Sequence, residues 1–147
     1  MQAIFGIMAQ KKGPLIRRES LMYIRYQGIS YDECARGYVG LFQSAGSLGD
    51  SDVQSSWHLN EIRRECGWFN ENLGFPRRLY YRPYSKGQIS GLCWFRASAV
   101  EYVNRARYLA WLLNDIGVSI AEHKSSTPGR GLWQDDHQIV AVKRLQF

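Results

Sequence analysis

The run Trp133-Gln134-Asp135-Asp136-His137-Gln138 is where this chain gathers its densest set of groups able to move protons or hold a cation. Two carboxylates beside an imidazole are the makings of an acid–base pair or a metal site. Successive residues of a strand face opposite sides, however, so only one aspartate can share a side with His137. Asp-Asp between two short strands is also ordinary turn composition, and the turn is the preferred reading. His58, in the solvated first turn of a helix, and His123, facing outward on a strand, stand at no ligand spacing from a cysteine, so no zinc site is expected. The chain carries no G-x-G-x-x-G, no P-loop and no G-x-S-x-G, and Pro128-Gly129-Arg130-Gly131 is a single glycine-rich turn. No catalytic residue, metal or cofactor is assigned.

A second chemistry is stacking combined with phosphate contact. The connector holds Arg77, Arg78, Arg82 and Lys86 interleaved with Tyr80, Tyr81 and Tyr84, and no acid. Cations alternating with aromatic faces are what hold phosphates and stack bases. The bland alternative is an exposed loop whose tyrosines pack on a sheet edge. Residues 1–30 carry a further +4 and residues 88–147 +2, while residues 31–74 are net −4, so most of the positive charge behind the overall +6 sits at the N-terminus and in this connector.

A third is contact with another chain. Trp57, Arg64 and Trp68 fall together on one helix, opposite its apolar stripe, and Tyr108 and Trp111 do the same on another. Large aromatics on polar faces need a cover, either the other helix or a second chain, and Trp and Tyr are favoured interface anchors.

The elements that carry these groups follow from periodicity. Ile89, Leu92, Cys93, Trp94 and Phe95 pack a short run as a buried strand. Ser98 with Glu101 forms an S-x-x-E box, predicting a helix that starts there. Its stripe is Tyr102, Val103, Ala106, Leu109, Ala110, Leu113 and Ile116, closed by a left-handed Gly117. Upstream, Leu59, Ile62, Cys66, Phe69 and Leu73 predict a helix from near Val53 to about Asn72, capped by Asp50 or Asp52 and stopped by Gly74 and Pro76. LMYIRYQ reads as the first strand. A second S-x-x-E box, Ser30 and Glu33, predicts a helix with Cys34, Tyr38, Leu41, Phe42 and Ala45 on one face, weakened by Gly37 and Gly40. VSIAEHK, LWQ and HQIVAVKRL complete the strands. The order β-α-α-β-α-β-β, without strict alternation, predicts an α+β two-layer sandwich with a mostly antiparallel or mixed sheet and helices on one face.

Residues 1–20 read as a basic tail and 21–147 as one domain, and a chain of 147 residues is large enough to bury roughly 70% of its unfolded surface. No apolar run approaches the length that crosses a bilayer, and the opening MQAIFGIMA has no basic residue before it, so neither a membrane span nor a signal peptide is expected. Three cysteines, Cys34, Cys66 and Cys93, are an odd set without C-x-x-C spacing, which predicts buried, reduced thiols and a cytoplasmic location.

Three groups of residues then carry a resemblance: W-F-N-x-N-L-x-x-P at Trp68 to Pro76, C-W-F at Cys93 to Phe95, and P-G followed by D-x-x-Q-I-V-A at Asp135 to Ala141. Over Met22 to Val142 the chain resembles a set of small uncharacterised bacterial α+β proteins, departing from it at Gly129-Arg130-Gly131-Leu132-Trp133. The resemblance implies bacterial origin and the fold, and no activity. The chain is therefore read first as a small non-enzymatic interaction module, binding another protein chain or a second copy within a larger assembly through Trp57, Arg64, Trp68, Tyr108 and Trp111. The alternatives are a nucleic-acid binder using Arg77, Arg78, Tyr80, Tyr81, Arg82 and Lys86, and a small metal-dependent or acid–base enzyme using Asp135, Asp136 and His137.

Overall fold

Tyr23 to Gly28, aromatic and branched at the right positions for a pleated surface, begin the strand against which the rest of the sheet is laid. The computed structural model describes residues 21–32, 37–48, 55–74 and 91–142. Strand β1 (Tyr23–Asp32) pairs antiparallel with β4 (Ile120–Ser125) along one edge, from Tyr23↔Ser125 to Gly28↔Ile120. Its other edge is shared. β3 (Gly91–Arg96) takes Tyr23 and Ile24, and β2 (Gly37–Gly40) takes Gln27 onward. β6 (Gln138–Val142) adds to β3 and β5 (Gly131–Gln134) to β6, all antiparallel. Three helices complete the described fold: α1 (Leu41–Gly46), α2 (Ser56–Asn72) and α3 (Val100–Asp115). Ile24, Tyr26, Phe95 and Ile120 share one sheet face by register and join residues of all three helices in a single core. The expected α+β architecture is the observed one.

Where β2 and β3 meet on the edge of β1, the ladder is interrupted. Ile24↔Phe95 is the last β1–β3 pair, and the carbonyl of Cys93 beyond it has no strand partner on that side. The buried Arg25 guanidinium donates Nη1 to that carbonyl at 3.0 Å and Nε to Gln27 Oε1 at 2.9 Å. A ladder bond is thus replaced by a side chain, because a buried carbonyl left unpaired is costly. Burial pulls the Arg25 pKa down from its ordinary value.

Helix α3 is the centre of the other layer. Ala106, Leu109, Leu112 and Leu113 are fully buried, one more position than the predicted stripe because Leu112 also faces inward. Its C-terminus closes as expected. Gly117 has φ +94°, its N–H bonds Asn114 O, and Val118 N–H bonds Leu113 O at 2.9 Å. That pair of bonds is the Schellman arrangement.

Three expectations are corrected. Ser98 does not cap α3: Ala99 is the N-cap residue and no side chain bonds there. The turn after β3 uses Arg96 O to bind Ala99 N–H, and Ala99 O starts the helix by accepting from Val103 N–H, one residue later than the box predicts. The helix expected from Ser30 is mostly absent. β1 runs on to Asp32 and Tyr38-Val39 belong to β2, paired through Tyr31↔Tyr38, and among the described residues of this stretch helix is found only at 41–46. Gly37 and Gly40 each disfavour helix by up to about 1 kcal/mol relative to Ala, and an antiparallel partner was at hand. Helix α2 is capped by Ser55, which accepts from His58 N–H, rather than by an aspartate; Asp50 and Asp52 lie outside the described residues, as do residues 1–20, Cys34 and the connector 75–90.

Candidate interaction face

Helices α2 and α3 lie antiparallel, and the seam between them is laced with polar contacts in order along both. Near one end, His58 Nε2 meets Asp115 Oδ2 at 2.6 Å. Next, the Tyr108 hydroxyl donates to Glu61 Oε1 at 2.6 Å, and Arg64 donates to the same carboxylate at 2.7 Å. Deeper in, Arg105 Nη1 donates to both oxygens of Glu65 at 3.2 and 3.3 Å, and Glu65 is buried. At the far end the Tyr102 hydroxyl donates to Asn72 O at 3.1 Å. The bonds from Tyr108 and Arg64 hold the Glu61 carboxyl below the usual carboxylate range, and the same Glu61 contact pushes the Tyr108 phenol up.

The five residues expected to make contact divide in two. Trp68 is half-buried between the helices, 5.0 Å from the Tyr102 ring and 5.1 Å from Phe69, with the Arg105 guanidinium 4.3 Å above it. Tyr108 is half-buried, packed against the core, with its hydroxyl bonded to Glu61. These two are therefore covered by the intramolecular seam, which is the simpler of the two fates foreseen for them. Trp57 and Trp111 are not covered: each is about half exposed, at 52% and 51%. They flank the His58 ring, Trp57 edge-on at 4.9 Å and Trp111 stacked at 6.4 Å, and Trp111 in turn stacks on Tyr108. Arg64 is exposed and bonds Glu61, the carboxylate that also takes the Tyr108 hydroxyl. A shallow groove of about 680 Å³ continues the face past Arg64, Asn104, Arg105 and Val100, and Val100 is also an exposed apolar side chain.

His58 was expected in solvent and is instead largely enclosed, its side chain 17% exposed, with Nδ1 2.6 Å from the Ser55 hydroxyl. Sequence gives no warning of this contact, because Asp115 lies 57 positions away and meets it only through the antiparallel pairing. Glu65 is different. It sits inside the apolar spacing Ile62, Cys66, Phe69, and an acid on a core stripe signals a buried partner.

The Asp135–His137 segment is a turn. Asp135 Oδ1 accepts from His137 N–H at 2.8 Å and Gln138 N–H at 3.0 Å, Asp136 is exposed, and the His137 ring stacks on Tyr102 at 4.1 Å. The polar centre here is the buried Gln138, which sequence reading passed over. It accepts from Cys93 Sγ at 2.8 Å and donates to Gly74 O, tying β3, β6 and the end of α2 together. Burial pushes the Cys93 thiol pKa up to about 12. Among the described residues no three His, Cys, Asp or Glu side chains converge to hold a metal ion, and no helix is long and apolar enough to cross a membrane. Arg77, Arg78, Tyr80, Tyr81, Arg82 and Lys86 lie outside the described residues. No protein-family model, curated protein or solved structure matches the chain.

Proposed function

We propose that the protein is a binding module that seats an amphipathic helix of a partner chain along the α2–α3 face. The carrying observation is that Trp57 and Trp111 stand half exposed, side by side across His58, on a pair of helices otherwise locked together. Half-exposed aromatic surface forgoes on the order of 1 kcal/mol of burial per residue, which a docked apolar side chain recovers. The charges on the face are matched within it: Arg64 with Glu61, Arg105 with Glu65 and Glu101, His58 with Asp115. What is left unmatched is apolar, so the favoured occupant is a polypeptide with aromatic or aliphatic anchors rather than a phosphate backbone. From Val100 to Trp111 the face runs about 16 Å, the length of three helical turns, suited to an i, i+4, i+7 row of anchors.

Photo-crosslinking residues at Asn60 and Asn104, which are exposed on this face, test the reading against a control at His123, exposed on the opposite sheet face. Polypeptide adducts are expected at the first two positions only. They should persist in high salt, because burial of apolar surface is nearly insensitive to ionic strength, and should vanish in the Trp57→Gln/Trp111→Gln double variant. Adducts to nucleic acid that disappear with salt would replace the protein partner with the Arg/Tyr connector reading.

A further inference from the structure

We propose that Ser55, His58 and Asp115 form a nucleophile–base–acid chain, with Ser55 able to accept an acyl group from a carboxylic ester lodged against Trp57 and Trp111. Trp57 and Trp111 belong to the docking face as well, but Ser55, His58 and Asp115 meet one another without a partner, and the test below needs none.

The protons decide the roles. Ser55 Oγ already accepts from the His58 backbone N–H at 3.3 Å. With a neutral imidazole, its own O–H is then free to donate to His58 Nδ1, 2.6 Å away. Nε2 carries the ring proton and donates it to Asp115 Oδ2, also at 2.6 Å. Every proton has an acceptor in this assignment. Capping alone does not require it: an N-cap serine needs only to accept a backbone N–H, whereas here the ring is also aimed at the hydroxyl and held from behind by a carboxylate of another helix. The roles are those of a serine hydrolase triad with the two ring nitrogens exchanged, and such a triad is recognised by geometry and roles, not by sequence order.

The surroundings match the chemistry. Ser55 is partly accessible. The backbone N–H groups of Ser56 and Trp57 occupy the first turn of α2, where helix geometry supplies no acceptor, and they can meet the oxygen of a carbonyl attacked by Oγ. Trp57 and Trp111 set half-exposed indoles on either side of the His58 ring, which gives the chain apolar surface beside its base.

The step balances without a further cofactor. The Oγ–carbonyl carbon bond forms as the hydroxyl proton passes to Nδ1, and Asp115 stabilises the imidazolium through Nε2–H. The bond from that carbon to the alcohol oxygen then breaks, and the alcohol leaves with the Nδ1 proton. Water repeats the sequence and returns free Ser55 and a carboxylic acid.

The test is labelling of the intact protein with a fluorophosphonate, which replaces fluoride by serine oxygen, with the adduct located by mass spectrometry. A single adduct on Ser55 is expected in native protein and not in denatured protein. Ser55→Asp keeps a good N-cap and should fold normally by circular dichroism while losing the adduct. His58→Gln should slow labelling by about 100-fold or more, the usual range for a general base, and Asp115→Asn by less. Labelling of native protein no faster than of denatured protein, an adduct on any other residue, or unchanged labelling of the Ser55→Asp variant would overturn the assignment and leave Ser55 a cap.

Discussion

Replacing Arg105 with methionine isolates the pair that fixes α2 on α3. The Glu65 side chain is only 4% exposed, and Arg105 supplies it with two N–H contacts at 3.2 and 3.3 Å. Stranding a buried carboxylate typically costs about 3–5 kcal/mol. Two features lower that figure here. Arg105 is one-third exposed, so solvent already screens the pair, and Arg64 remains 3.9 Å from Glu65 after the change. Loss of the guanidinium over Trp68 adds roughly 0.5 kcal/mol, and methionine retains part of the apolar stem contact. The expected loss is about 2–3 kcal/mol, or some 5–10 °C in midpoint for a domain of this size, read by urea and thermal unfolding at neutral pH. The double variant Glu65→Met/Arg105→Met should recover most of it, since replacing both members of a buried pair with apolar groups is often neutral. A single variant within about 0.5 kcal/mol of the parent, or a double variant no better than the single, would show that the pair is solvated and that α2 is held elsewhere.

Two further outcomes follow from the caps and the thiols. Ser98→Ala should leave stability within about 0.5 kcal/mol of the parent, whereas Ser55→Ala should cost about 1 kcal/mol, compared by urea midpoints. Cys93, whose pKa is raised to about 12 by burial, should react with a thiol reagent far more slowly than Cys66, which burial raises less. The unfolded thiol ionises first as pH rises through about 9, so the folded state loses this part of its stability between pH 9 and 12, and Cys93→Ala should flatten that alkaline decline.

What was legible in the sequence was whatever depends on neighbours along the chain. The stripe of α3, its Gly117 stop and the strands from Ile120 onward were visible because a period of 3.6 or 2 needs only local spacing. The two S-x-x-E boxes misled for the same reason. A capping box is four residues of local chemistry, and at Ser30 the pairing Tyr31↔Tyr38 outweighed it, while at Ser98 the turn after β3 shifted the start by one residue. The Asp135–His137 run read correctly as a turn because Asp bonding its own downstream backbone is equally local. The site could not be read this way. Trp57 and Trp111 were visible as aromatics out of phase with their stripes, but that Trp68 and Tyr108 would be covered and these two left open depends on the depth at which α2 settles on α3. The His58–Asp115 contact depends on the two helices running antiparallel, which no spacing in either one encodes.

The form of that seam bears on how the face works. An apolar interface between α2 and α3 would tolerate sliding by a turn, since one aliphatic contact substitutes for another. Here the rungs are polar, pairing 58 with 115, 61 with 108, 65 with 105 and 72 with 102, and a slip of one helical turn would break every one of them while leaving the buried Glu65 unpaired. Register is therefore specified even though each exposed rung alone contributes little. The consequence falls on Trp57 and Trp111. Trp111 lies between the Tyr108 and Asp115 rungs and Trp57 is next to the His58 rung, so little conformational freedom remains to be lost when something docks there, and preorganisation of that kind is what turns a modest apolar area into useful affinity. The same rungs hold the His58 ring between Ser55 and Asp115. An imidazole that rotated freely would meet only one of the two at a time, and the polar seam is what keeps both at 2.6 Å.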